Sequence, residues 1–136
     1  MSQKEEQKSK IIEFQVLNQK VQQLQEHLQS INNNIQELQI LRNSLDELEN
    51  IKENQDILIP LGQGIFVKGI IKNNNELITN VGLNIMVEKD VKETKDMVKV
   101  NILNLSKMLE RTEEEMNRNI EELQKLQKEI TEKEKQ

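Results

Sequence analysis

Apolar residues recur alternately three and four apart over two long stretches of this chain, and that spacing leaves few folds open. The first series runs Phe14, Leu17, Val21, Leu24, Leu28, Ile31, Ile35, Leu38, which is the seam of a left-handed coiled coil. It continues as Leu41, Leu45, Leu48 and Ile51, with a step of three at Leu41 where a four is due. Such a slip overwinds a coil locally. The second series reads Val91, Val98, Ile102, Leu105, Leu109, Thr112, Met116, Leu123, Leu126 and Ile130. Ile120 fills in beside Asn119, and Lys95 and Thr112 are polar seam positions. The spacing predicts one helix over 10–54 and another over 90–133, with charged ends at 1–9 and 131–136 that fray. Asp90 is placed to cap the second helix, with Glu93 at the third helical position.

Between the two series, residues 56–89 break the pattern. They hold the only proline (Pro60) and all four glycines (Gly62, Gly64, Gly69, Gly82). Proline and glycine are poor in helix interiors and punctuate turns. Short runs of Ile, Val, Leu and Phe lie between them and suit strands. The expected strands are Ile57 to Leu61, Ile65 to Lys72, Leu77 to Val81 and Leu83 to Glu88, joined as two β-hairpins. A turn at Leu61 to Gly64 and the polar run Asn73, Asn74, Asn75 separate them. Both faces of these strands carry apolar side chains, and isolated hairpins are marginal in water. Their open edges invite other chains. The insert is therefore expected to be buried against other subunits, a second copy of this chain being the nearest supplier.

Composition supports elongated helices over a compact core. Among 136 residues, 32% are charged, only two are Phe, and Trp and Tyr are absent. The net charge of -5 argues against nucleic acid as a partner, since phosphate binding needs a basic footprint. No apolar run approaches the roughly eighteen residues of a membrane span, and MSQKEEQKSK is too polar for a signal peptide. A cytoplasmic protein is expected. Cysteine is absent, so thiolate metal sites and disulfides are excluded.

The helices match in length, so a chain reversing at the insert brings them together antiparallel within one molecule. Matching apolar residues across the seam places Phe14 opposite Ile130, Val21 opposite Leu123, Leu28 opposite Met116 and Ile35 opposite Leu109. The alternative is that each helix pairs with another chain.

Two insert motifs carry a family resemblance. PLGQGIFVKG (Pro60 to Gly69) and NVGLNIMVEK (Asn80 to Lys89) resemble the hairpin signatures of α-class prefoldin subunits. Two hairpins also fit that class better than the single one of the β class. Asn80 departs from the pattern, where a more apolar or small residue is usual. The resemblance implies a mainly α fold with a small β insert: a long antiparallel coiled-coil hairpin whose helices are joined by two β-hairpins that assemble into an intersubunit β-barrel. It implies a single subunit over 1–136 that joins β-class subunits in a hexamer of two α and four β chains. The implied activity is that of an ATP-independent holdase, which captures non-native client proteins between coiled-coil tips and passes them to a group II chaperonin. A structural prefoldin-like protein forming homo-oligomers or filaments, or serving as an adaptor, is the alternative.

For client contact the expected residues are Ile11, Ile12, Phe14 and Leu17 on one arm and Leu126 and Ile130 on the other. Phe14, Leu17, Leu126 and Ile130 also lie on the seam, where coil packing is the competing role. Ile11 and Ile12 are adjacent and cannot both lie there. For oligomerisation the expected residues are Ile65, Phe66, Val67, Ile70, Leu83, Ile85 and Val87. No catalytic set of nucleophile, base and orienting group can be assembled, so no enzyme, cofactor or metal is expected. His27 stands alone beside Leu28, with no second histidine to share a metal. The glycines resemble a phosphate loop only superficially, because no Gly-Lys-Ser/Thr follows and the loop leads into a strand.

Overall fold

The computed structural model describes residues 2–134 and contains α1 (Gln3–Glu49), β1 (Asp56–Gly62), β2 (Ile65–Ile70), β3 (Glu76–Asn80), β4 (Met86–Asp90) and α2 (Val91–Glu134). The fold is mainly α, with two small antiparallel hairpins between two long helices. Helix α1 begins well before the expected Lys10. The Ser2 hydroxyl oxygen accepts a bond from the Glu5 N–H at 3.3 Å, and Glu5 and Glu6 in the first turn suit the positive end of the helix dipole. The expected fraying at 1–9 is thus not seen from Gln3 onward. At the other end α2 continues to Glu134, while the fraying expected at Lys135 and Gln136 lies outside the described residues. Helix α1 stops at Glu49, short of the expected Asn54. Asn54 adopts a left-handed φ of 63°, which no α-helix continues through.

The chain divides into two compact units, one of residues 1–35 with 104–136 and one of residues 36–103. The first is here called the terminal coil. Four polar contacts join its two helix segments in antiparallel order. Lys133 meets Glu6 at 3.5 Å, Lys10 meets Glu129 at 3.3 Å and Lys20 meets Glu115 at 3.4 Å. The Gln7 amide donates to the Ile130 carbonyl at 3.3 Å. The helices therefore pair within one chain. Their register differs from the apolar match, under which Lys20 would sit more than two turns from Glu115, about 13 Å along the axis. The observed ladder slides the helices by about one turn, setting Phe14 level with Leu126 and Ile31 level with Leu109. It stacks Val21 on Asn119 and Leu28 on Thr112, and these four are buried.

In the second unit, the hairpin unit, Leu45, Val91 and Val98 form a buried cluster, with Leu38, Leu48, Leu77 and Ile102 packed against it. Leu41 remains 41% exposed. Burial on α1 therefore passes from Leu38 to Leu45, one full heptad, without the three-residue slip expected at Leu41. Asp90 caps α2 as expected: its carboxylate accepts from the Glu93 N–H at 2.7 Å, and its carbonyl accepts from the Thr94 hydroxyl at 2.9 Å.

Strand β1 pairs with β2, and β3 with β4. Gln63 and Gly64 both have positive φ (54° and 76°), the geometry of a two-residue type I′ turn. A register shift between Pro60 and Gly62 marks a bulge at Leu61. The second hairpin departs from expectation, because its last strand starts at Met86 and not at Leu83. Leu83 and Asn84 take left-handed φ values of 51° and 60° and form the turn, with the Asn80 side chain accepting from the Gly82 N–H at 3.0 Å. Two of the three asparagines tie the link between the hairpins to the neighbouring helix ends. Asn74 donates to the Ile51 carbonyl at 2.6 Å, and the Asn75 carbonyl accepts from the Val91 N–H at 3.1 Å.

Candidate functional site

The hairpin unit exposes apolar surface that no residue of its own covers. Paired residues in an antiparallel ladder share a face. The register of β1 on β2 therefore sorts Ile57, Ile59, Val67 and Gly69 to one face and Leu58, Pro60, Phe66, Lys68 and Ile70 to the other. On the first face Gly69 leaves room for Ile59, whose Cδ1 would lie 2.7 Å from a Cβ added at position 69. On the second, Leu58, Phe66 and Ile70 are each more than half exposed. Two wet apolar faces on one small hairpin exceed what a monomer leaves uncovered without a partner. The β3–β4 hairpin is different, since Leu77 on β3 packs against the buried cluster of the helices. Its remaining apolar residues, among them Ile78, Met86 and Val87, stay exposed.

Beside the hairpins, Lys95 bridges Asp46 and Glu49, the latter at 3.0 Å. The hydrogen bond from Lys95 holds the Asp46 carboxyl below the usual carboxylate range, and the bonds from Asp46 and Glu49 hold the Lys95 ammonium above its ordinary value. Lys95, expected in the seam, lies at its flank with its charge paired, because the seam between Val91 and Val98 is filled by the buried Thr94.

In the terminal coil the apolar residues fall into two classes. Phe14, Leu17, Leu126 and Ile130 are half-buried along the seam. Ile12 is 60% exposed and Val16 is 59% exposed. They stand four apart on α1, so they share a face. The seam also holds a polar defect. Asn119 is 8% exposed, and its side-chain nitrogen has no hydrogen-bond acceptor. A buried amide left unpaired costs about 1–3 kcal/mol. Ile120, which was expected to fill the seam, is only half-buried.

Comparison with known proteins supplies the family. The prefoldin subunit family model matches residues 17–136. A prefoldin subunit alpha from Methanococcus vannielii is 35% identical over 127 residues, covering 93% of this chain and 80% of the relative. This chain belongs to the prefoldin family, in its α class. A second prefoldin subunit alpha, from Methanococcus maripaludis, is 35% identical over 117 residues, covering 86% of this chain and 76% of its own length. Among solved structures, a filamentous PFD from Methanocaldococcus jannaschii determined by cryo-EM superposes with a TM-score of 0.70 at 18% identity. The superposition covers 83% of this chain and 93% of that one.

As a prefoldin chain, this protein is a chaperone subunit of a family whose members oligomerise with one another. Of the residues expected at its interfaces, Ile65, Phe66, Val67 and Ile70 lie together on β2. Leu83 and Ile85 lie in and beside the second turn, while Val87 lies on β4. Of the expected client contacts, Ile11 and Ile12 are both exposed, Ile12 more so. Val16 was missed by sequence reasoning. The available signal was its position one turn beyond Ile12 and outside the three-four series. Among the described residues no cluster of His, Asp or Glu has a metal-binding arrangement, and no helix is long and apolar enough to cross a membrane.

Proposed function

We propose that this chain is a subunit of an ATP-independent, cytoplasmic holdase and not an enzyme. Its hairpins join β-class prefoldin subunits and a second copy of itself in a closed β-barrel platform. Its coiled-coil tips hold non-native proteins for transfer to a group II chaperonin. One observation carries the reading: Ile12 and Val16 form an exposed apolar pair on a helix whose seam is already filled by other side chains. An apolar pair kept in water offers weak, geometry-tolerant contacts, as broad and reversible binding requires. The test is the double substitution Ile12→Ser with Val16→Ser in the complex assembled with a β-class partner. Light scattering during dilution of a denatured client should show several-fold weaker suppression of aggregation at unchanged oligomer size. Full suppression by the double variant would remove the assignment.

A second reading is self-assembly of this chain alone. It is supported by the two exposed faces of the β1–β2 hairpin and by the filamentous prefoldin that this fold resembles. Intact mass measurement separates the two. A closed hetero-oligomer of fixed mass supports the holdase subunit, and an open-ended homopolymer supports the alternative.

A further inference from the structure

We propose that the outward side of the first turns of α2 receives the β1–β2 hairpin of a second copy of this chain, Lys68 of each copy reaching Glu93 and Asp96 of the other. The proposal concerns how two copies meet and does not rest on client holding. On the hairpin, the face of Leu58, Phe66 and Ile70 also carries Lys68, which pairs with Leu58 in the ladder and lies between Phe66 and Ile70 along β2. All four are exposed. On α2, Glu93 is followed three and four residues on by Asp96 and Met97, and these by Val100 and Leu103, so the five share one side. At about 100° of turn per residue, that side points away from the seam of Val91, Thr94, Val98 and Ile102. Met97 is 43% exposed, and Val100 and Leu103 are each 55% exposed.

The charges say what fits on what. A lysine in the middle of an apolar face must find an anion when that face is covered. The side of α2 just described joins apolar residues to two carboxylates. Among the described residues, Lys68, Glu93 and Asp96 take part in no ion pair. The lysines of α2 lie on a separate strip, Lys92, Lys95 and Lys99, on the flank where Lys95 reaches Asp46 and Glu49 of α1. The two surfaces also match in extent. Phe66 to Ile70 spans about 14 Å of strand, and Glu93 to Leu103 about 15 Å of helix. Both stand exposed in one chain, so they do not cover each other there. Because every copy carries both, a two-fold pairing covers each of them twice and leaves neither open. Phe66 of one copy then lies on Val100 of the other, and a barrel lined by the Ile57, Ile59 and Val67 face leaves this contact free to form.

The test follows the full chain by sedimentation velocity over a dilution series, with circular dichroism as the check that each variant keeps its helices. Asp96 is chosen over Glu93 because it lies beyond the first turn, where helix-dipole effects have fallen off. Lys68→Glu and Asp96→Lys, each alone, should raise about tenfold the concentration below which copies separate, since each reverses a charge in both halves of a two-fold contact. The double variant Lys68→Glu with Asp96→Lys should return to wild-type behaviour. So should an equimolar mixture of the two single variants, in which a mixed pair makes an opposite-charge contact at both places. Mixing cannot repair a contact made within one chain. Independently, Phe66→Cys with Val100→Cys, in a chain that has no other cysteine, should give a disulfide-linked two-chain band on mild oxidation. Single variants that assemble as the wild type does overturn the pairing, as does a loss that neither the double variant nor the mixture repairs. A dicysteine variant that stays single-chain, or a wild-type chain that stays monomeric, overturns it too. Client holding by the complex with β-class subunits is read separately by light scattering and survives any of these results.

Discussion

Leu83 shows how a single side chain can sit against its backbone preference. It is 95% exposed and holds a φ of 51°, a left-handed conformation that costs a non-glycine residue roughly 1–2 kcal/mol. A large apolar side chain in open water on a strained turn gains nothing within its own chain. Burial against another subunit is what the proposed assembly would give it. Leu83→Gly should therefore relax the turn, leaving helix content by circular dichroism unchanged, yet raise the protein concentration below which the oligomer falls apart. An oligomer at least as tight in the glycine variant, by analytical ultracentrifugation on dilution, would show that Leu83 makes no intersubunit contact. The sequence placed Leu83 among the interface residues by its apolar character. It could not place it in the turn, because Gly82 alone carries the usual turn signal and the Leu83-Asn84 pair does not.

At the scale of elements, the helices and hairpins were legible because two strong signals agreed. The three-four spacing of Phe14 through Leu38 specifies a coil, and Pro60 with the four glycines specifies where the helices stop. Register was not legible, for a physical reason. An apolar seam repeats every seven residues, so sliding one helix by a turn still sets apolar against apolar. Hydrophobicity alone favours setting Leu28 on Met116 and Val21 on Leu123 over setting them on Thr112 and Asn119. The flanking charges decided otherwise, because Lys20 and Glu115 meet only in the shifted register. This gives a prediction for the coil itself. Cysteines at Ile31 and Leu109 should form an intramolecular disulfide readily on mild oxidation, while cysteines at Ile35 and Leu109 should crosslink far more slowly. Non-reducing gels report both rates. The reverse order, or crosslinks between chains, would reject the observed pairing.

For the whole molecule, the division of labour follows from where apolar surface is left wet. Phe66 and Ile70 lie on the β1–β2 face remote from Ile59 and Gly69, and a barrel built from strand edges covers only one face of each strand. Both faces being apolar, a platform of the proposed kind would need contact beyond edge pairing. Phe66→Ser with Ile70→Ser should leave the helices intact, since neither side chain belongs to the buried cluster around Leu45, Val91 and Val98. It should shift the sedimenting species toward monomer. A variant of wild-type mass in the same experiment would mean that this face plays no part in assembly. The assembly surfaces were legible as a region, because glycine-bounded apolar runs of this kind cannot shield themselves. The proposed client contact was only half legible, because Ile12 was visible as an off-seam residue while its neighbour Val16 was not.

Asp90 is both the last residue of β4 and the cap of α2, whereas Asn50 to Gln55 intervene between α1 and β1. One helix thus meets its strand directly, and the other through a short run that hydrogen bonds hold in place, the Asn54 N–H donating to the Ile71 carbonyl at 2.8 Å and the Ile71 N–H to the Gln55 carbonyl at 3.3 Å. Whatever orients the β4 strand in a complex therefore also orients the first turns of α2, as a bolted bracket fixes the root of a rod, whereas a load on the first hairpin returns to the end of α1 through a clasp of hydrogen bonds.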